Sequence, residues 1–389
     1  MNKKNVLESM KKNAMLIVLV LVYLFFMILT QGGIFKPSSF TELVNQNAYV
    51  YILGVGMLMC MLTGGNIDLS CGAWVCLISA IGGIFMVVME LGTGVSLLLM
   101  LAIGVAYGCV LGFLIAYIHI PPWIATLAGY LAFRGLGTYI LSTNSTTGSL
   151  GTFPVDFQNL FFGRIFPTEK GTLNVVCFVA GIVAAGLVVL IVFMSRANRL
   201  KKGYEADTVL QAAAKSGIGA AAIILVMSRL AMDGGIPTTL LWVAGIVLVY
   251  SFITSKTTIG RHFYVVGGNI EAARLSGVNT RRIMFIAYLN MAVLTTIATM
   301  PVIARSQSAY ANLGKNFEMD AISACVVGGV SASGGAGTVM GMVIGATLIG
   351  VINLGMSLVS LDANWQRVVK GFVLLAAVVF DILSKKKQR

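Results

Sequence analysis

An all-α, polytopic membrane fold is what this chain predicts, and three observations predict it. Hydrophobic residues make up 58% of its 389 residues and charged residues 11%, with a mean hydropathy of +0.91. A soluble domain carries about 25% charged residues. Apolar runs long enough to cross a bilayer, ~20 residues each, recur along the whole length. The 44 glycines suit close helix packing in lipid, where small residues let backbones approach. No segment between the runs is large enough for a separate soluble domain, so 1–389 is expected to form one transmembrane domain.

Spans are expected near 14–30, 47–63, 72–89, 95–118, 122–141, 172–194, 213–232, 238–254, 283–303, 319–336, 338–358 and 366–384, about 10–12 helices in all. The first has a charged start and an apolar run, like a signal peptide. Gln31, Gly32, Gly33, Ile34 and Phe35 make a weak cleavage site, so it reads as a retained signal anchor. The net charge of +13 would suggest nucleic-acid binding in a soluble protein, but its distribution argues otherwise. With the N-terminus inside, cytoplasmic cations number four in 1–13, five in 195–215, five in 255–283 and four in 385–389. The external side holds Lys36, Arg164, Lys170, Arg305 and Lys315, and four cations lie in spans. The positive-inside rule therefore expects both termini in the cytoplasm and no nucleic-acid partner.

Catalytic chemistry finds no footing. The six cysteines (Cys60, Cys71, Cys76, Cys109, Cys177, Cys325) fall in or beside apolar spans, and no Cys/His pair has metal-ligand spacing. Gly314 and Lys315 are the sole Gly-Lys pair, with Ala309 at the first Walker glycine position and Asn316 where Ser or Thr should stand. His119 and His262 are far apart without nearby carboxylates. No catalytic residue, metal site or cofactor is expected in the chain, which reads as no enzyme by itself.

Polar and glycine-rich interruptions carry the functional signal. Gly64, Gly65, Asn66, Ile67, Asp68, Leu69, Ser70, Cys71 and Gly72 separate two apolar segments. Paired glycines break a helix, and Asn, Asp and Ser can satisfy the freed backbone groups. Such a break is tolerated at membrane depth where it lines a cavity. It fits a hinge or pathway lining, and equally a tight cytoplasmic turn with Asp68 capping the next helix. Pro121 and Pro122 suit a tight inside turn at a first helical turn. Arg134 at mid-span either lines a pathway, pairs with a carboxylate on another helix, or snorkels. Arg229 with Asp233 at i,i+4, and Arg367 with Lys370, read as interfacial anchors beside span ends, and Trp365 fits the aromatic belt. A second break contains Gly328, Gly329, Ser331, Ser333, Gly334, Gly335 and Gly337, after an apolar half-helix with Asp320 at its start. Paired breaks suggest an internal repeat around a central pathway.

The polar island at 260–282, GRHFYVVGGNIEAARLSGVNTRR, lies between two long apolar segments. Asn269 is a good N-cap, 270–276 can make two helical turns, and Gly277 is a natural stop. A short capped helix with basic flanks suits a rigid knob presented to something in the cytoplasm; the alternative is a solvated loop.

The island, through Gly268, Asn269, Glu271, Ala272, Ala273, Leu275, Ser276 and Gly277, resembles the coupling loop of sugar-type ATP-binding-cassette (ABC) importer permeases. The first break resembles the signature segment of the same family, with Asn66 and Cys71 as variable positions. The proline turn with Ile124, Thr126 and Leu127, the Arg134-Gly135 pair and the second break match it too. The resemblance spans roughly 47–141 and 255–384, and the tail from Asn364 to Asp381 is most similar to the xylose or multiple-monosaccharide subgroup. The stretch 142–250 departs from the shorter ribose-type pattern.

What the resemblance implies is a bacterial inner-membrane permease for a monosaccharide such as xylose, galactose or glucose. It would pair as a homodimer or heterodimer, with ATPase subunits holding ATP and Mg inside and a sugar-binding protein outside. Ribose, furanosyl compounds and nucleosides are alternative substrates. The rival class is a secondary transporter driven by an ion gradient, in which an intramembrane carboxylate, Asp68 foremost, carries the coupling.

Overall fold

The computed structural model describes residues 14–204, 206 and 208–386. The basic termini, 1–13 and 387–389, on which part of the expected charge asymmetry rests, lie outside the described residues. Nine of the described helices are long and apolar enough to cross a membrane. In chain order they are α2 (Pro37–Leu62), α3 (Cys71–Gly83, continued as a π-helical stretch over Ile84–Val88), α4 (Thr93–Ala116), α5 (Pro122–Asn144), α7 (Val175–Lys201), α8 (Val209–Met232), α9 (Thr238–Lys256), α12 (Thr280–Ser306) and α14 (Val339–Leu358). Around them lie α1 (Ala14–Leu29), α6 (Val155–Phe162) in the long loop, α10 (Thr258–Gly268), α11 (Ile270–Leu275), α13 (Phe317–Val327) and α15 (Ala363–Lys386).

One expected span is not a continuous helix. The apolar pattern over 319–336 predicts a crossing, but α13 stops at Val327 after 11 residues. That is ~16 Å of helix against a ~30 Å hydrocarbon core. Gly329, Gly334 and Gly335 at φ +83°, +84° and +71° turn the chain out of the helical path. Apolar composition registered burial here, whereas the glycine conformations decided the helix end.

The core is built on α2. Nearly every residue of its second half is buried, with Val50, Leu53, Val55, Met57, Leu58, Cys60 and Leu62 at 0% exposure. They pack with Ala287, Tyr288 and Met291 of α12, Ala321, Ala324 and Cys325 of α13, and Met342 and Ala346 of α14. Lipid tails are as apolar as these side chains, so close fit rather than water exclusion holds the bundle together. α4 shows how: Gly104, Gly108 and Gly112 present one bare stripe to Thr296, Leu289 and Phe285 of α12. By contrast α7 and α8, at 17% and 11% buried, form a peripheral hairpin.

Two short ribbons tie loops together at the end of the bundle opposite α11. Strands β1 (Ser149–Gly151) and β4 (Ser308–Tyr310) pair antiparallel, with Leu150 facing Ala309, and β2 (Arg164–Ile165) pairs with β3 (Ile236–Pro237). Arg305 and Glu42 form an ion pair at this end.

Three polar pairings depart from the sequence-based expectation. Asp233 does not pair with Arg229 one turn away; it accepts from Arg164 at 2.7 Å, because the β2–β3 ribbon brings that guanidinium to the end of α8. Arg229 instead lies 3.9 Å over the ring of Phe35. Lys370 is not an interfacial anchor. Its ammonium sits 3.0 and 3.1 Å from the carboxylate oxygens of Asp320, which also accepts from the Tyr49 hydroxyl at 2.6 Å.

This last cluster ties α2, α13 and α15 and generates a stability prediction. Lys370→Met leaves the Asp320 carboxylate buried without its cation and is expected to cost ~3 kcal/mol, whereas Lys370→Met with Asp320→Asn restores most of it. Unfolding of purified protein in mixed micelles measures both; equal losses in the single and double variants would contradict the pairing.

Candidate functional site

The exposed knob is built as its sequence dictates. The Asn269 side chain accepts from the Ala272 N–H at 3.0 Å and so caps the first turn of α11. At the other end Gly277 has φ +83°, its N–H donating to the Arg274 carbonyl and the Val278 N–H to the Ala273 carbonyl. Ser276 Oγ donates to the Ala272 carbonyl at 2.8 Å. Asn279 then caps α12 through the Arg282 N–H. With both ends capped, the short helix α11 is held by its flanks.

What the knob presents is equally specific. Ala273 is fully buried, while Ile270 and Leu275 are 50% and 85% exposed. Glu271 and Arg274 stand beside them, 3.7 Å apart and mostly in solvent. Exposed pairs at that distance contribute ~0–1 kcal/mol, so Glu271 is free to exchange partners. Two exposed apolar side chains flanked by a carboxylate and a guanidinium form a small amphipathic docking face.

Behind the knob, three glycine-rich segments meet backbone to backbone. Gly267, at the end of α10, lies so close to the Leu62 carbonyl that a Cβ there would overlap it. The Gly335 N–H donates to that same carbonyl at 3.2 Å. A Cβ on Gly335 would stand 2.8 Å from the Gly268 nitrogen, and one on Gly334 would collide with the backbone of Gly64. Gly65 abuts the Ala332 carbonyl in the same way. Tyr264, on α10, donates from its hydroxyl to the Gly337 carbonyl at 2.9 Å. Burial pushes that phenol above its usual range, so it remains a donor at neutral pH. The first break, the second break and the root of the knob therefore form one contact.

Each break is internally satisfied. In the first, Asn66 donates to the Thr63 carbonyl at 3.2 Å. Asp68, 1% exposed, accepts from the Ser70 N–H at 2.7 Å and from its hydroxyl. Ser70 Oγ lies 2.6 Å from the Tyr107 hydroxyl. In the second, Gly328 and Gly329 donate to Ala324 and Val326 at the end of α13, Ser331 donates from its N–H to Ala336, and Ser331 and Ser333 hydroxyls bond at 2.9 Å. Asp68 thus holds the N-cap residue Ser70 just ahead of α3 and is part of a buried break.

Arg134 lies apart from this junction. Among the described residues it pairs with no carboxylate; its guanidinium donates to the carbonyls of Ala311 and Leu313 at 2.9 and 2.8 Å, and to Gly72 at 3.4 Å. The segment before α13 is a run of turns, and a guanidinium with five donors reaches several of its carbonyls at once. Arg134 therefore braces the start of α3 against the segment leading into α13. Next to it, Glu318 is buried with its Oε2 atom unpartnered. Leu62, Tyr264, Gly267, Tyr107 and Glu318 carry no signal by residue type alone. Gly267 was within reach, since it doubles a glycine already singled out in the motif.

With that geometry in place, the chain can be set beside known proteins. Residues 39–378 match the family described as the branched-chain amino acid transport system / permease component. The chain belongs to this family. It is 33% identical over 377 residues to the xylose transport system permease protein XylH of Haemophilus influenzae, covering 96% of each chain. It is 29% identical to the ribose import permease protein RbsC of Escherichia coli, over 91% of this chain and 89% of that one. The galactose/methyl galactoside import permease protein MglC of Haemophilus influenzae is 27% identical, over 100% and 99% of the two chains. No solved structure matches. The motif resemblance to sugar-type ABC permeases near the xylose subgroup accordingly stands, and the chain is a multi-pass membrane permease subunit.

The junction generates its own prediction. Gly267→Val places a branched side chain against the Leu62 carbonyl, and the strain of ~1–3 kcal/mol is expected to part α10 from the second break. Hydrogen exchange of the Gly335 amide should then accelerate by at least ~10-fold, with the core of α2 unchanged. Unaltered exchange at Gly335 would show that the contact is not maintained in solution.

Proposed function

We propose that this chain is the membrane-spanning subunit of an ATP-driven importer for a monosaccharide of the pentose or hexose class, with xylose the first candidate. The observation that carries the reading is the junction at Leu62, where the root of an exposed, capped knob touches both glycine-rich breaks of the bundle. An ATPase subunit seated on Ile270, Glu271 and Leu275 would push or tilt α11. Because both ends of α11 are capped, the displacement passes to Gly267 and Gly268 and from there to 64–65 and 334–335. A permease using such a relay needs two copies, or two related chains, around a shared pathway. ATP and Mg are bound by the partner.

The orientation follows from charge. Arg261, Arg274, Arg281 and Arg282 cluster at the α11 end, so this end, with both termini, faces the cytoplasm. The ribbon-tied end then receives sugar from an external binding protein. The order of resemblance, xylose ahead of ribose and galactose permeases, supports the choice of sugar. A gradient-driven carrier is less well supported, because Asp68 is already engaged by Ser70 in a local turn.

Reconstitution in vesicles tests the reading. Uptake of labelled xylose should require the ATPase, ATP and the binding protein together; uptake by this chain alone, driven by a proton or sodium gradient, would overturn it. Within that system Glu271→Lys and Gly277→Val should leave the permease folded and membrane-inserted. Gly277 has open space around it, so the valine is penalised through its φ alone, by ~1–2 kcal/mol, enough to tilt the knob. Both variants are expected to lower ATP-dependent uptake at least ~10-fold or to weaken co-purification with the ATPase, a loss of ~1.4 kcal/mol or more. Normal assembly and uptake in both would remove α11 from the mechanism.

A further inference from the structure

The peripheral hairpin α7–α8 has no part in the relay, yet it shapes a site of its own. At the ribbon-tied end it is fastened to the bundle. Cys177, Leu230 and Ala231 pack with Phe40, Arg229 covers Phe35, and Asp233 holds Arg164. Toward the α11 end the hairpin and α9 leave a cavity of about 680 Å³ between the C-terminal turns of α7 and α9. Three cations converge on it: Arg199 and Lys202 from the end of α7, and Lys256 from the last residue of α9. No carboxylate among the described residues lines the cavity, and none of the three cations forms an ion pair or side-chain hydrogen bond among the described residues. Tyr204 adds a hydroxyl at the rim.

Below the cations the character changes. Met194 and Ile191, about one and two turns earlier on α7, line the same cavity and are 55% and 61% exposed. A hydrophilic anion would satisfy the cations and leave this floor unmatched. A molecule with an anionic phosphate head and an apolar tail matches both, since the cations lie at the helix ends and the apolar floor continues toward the bilayer. Like charges gathered without a counterion among the described residues also repel one another until an anion enters.

We propose that this cavity binds one anionic phospholipid, its phosphate held by Arg199, Lys202 and Lys256 and an acyl chain laid along Ile191 and Met194. Lys256 directly precedes Thr257, whose side chain caps α10 through the Gly260 N–H. A lipid seated here therefore bridges the hairpin to the first residue of the segment that carries the knob. The 142–250 insertion thereby makes the position of the knob sensitive to the lipid around it.

The test is native mass spectrometry of the full chain, purified and offered equimolar phosphatidylglycerol and phosphatidylcholine. Each cation near an anionic headgroup strengthens its binding about five-fold, so Lys202→Gln with Lys256→Gln is expected to lower retained phosphatidylglycerol by ~25-fold. Lys201→Gln with Lys215→Gln removes the same charge outside the cavity and should leave retention within about two-fold of wild type. Equal losses in the two double variants would reduce the effect to general surface charge and overturn the site. Displacement of the lipid by millimolar sn-glycerol 3-phosphate would overturn it as well, by showing that the cavity reads the phosphate without the tail.

Discussion

The Leu62 carbonyl is the point on which the rest of the structure depends. It ends α2, whose second half is almost wholly buried, and it accepts from Gly335 while Gly267 is pressed against it. In a bilayer an unmade backbone hydrogen bond costs several kcal/mol, because no water stands ready to replace the partner. Each break must therefore find its partners in the protein, and here the breaks find one another. The glycines follow from that demand: with a Cβ at 65, 267, 334 or 335 the backbones could not approach.

The same constraint explains why the polar side chains sit where they do. Arg134 serves carbonyls of the turns before α13, and Asp68 the backbone of Ser70 just ahead of α3. Asp320 anchors the start of α13 to α2 and α15 through Tyr49 and Lys370. Polar groups inside the bundle thus support irregular backbone. Helices and braced loops join α11 to the bundle, and the peripheral hairpin is fastened to it at the ribbon-tied end.

Much of this was legible residue by residue. Asn269 and Gly277 announce a capped helix because caps are local: the side chain and the backbone it serves are within three residues. Although α2 begins at Pro37, ten residues before the expected start, the helices α1, α3 to α5, α7 to α9, α12, α14 and α15 follow the apolar runs closely, since membrane length is set by composition. The half-helix α13 did not, because hydropathy reports burial and is blind to whether buried chain is helical. Arg229 with Asp233 failed for a related reason. Spacing of i,i+4 makes a pair possible, but the β2–β3 ribbon brings Arg164, 69 residues away in sequence, to within 2.7 Å of Asp233.

Composition and local chemistry by themselves determined a many-helix membrane protein, its knob and its two breaks, because each depends on residues near one another in the chain. Only the tertiary structure decided that Gly64, Gly267 and Gly335 share one contact, that Arg134 serves carbonyls rather than a carboxylate, and that Lys256 joins Arg199 and Lys202. Those are meetings of segments tens to hundreds of residues apart, and they are set by how helices pack, which no single segment encodes.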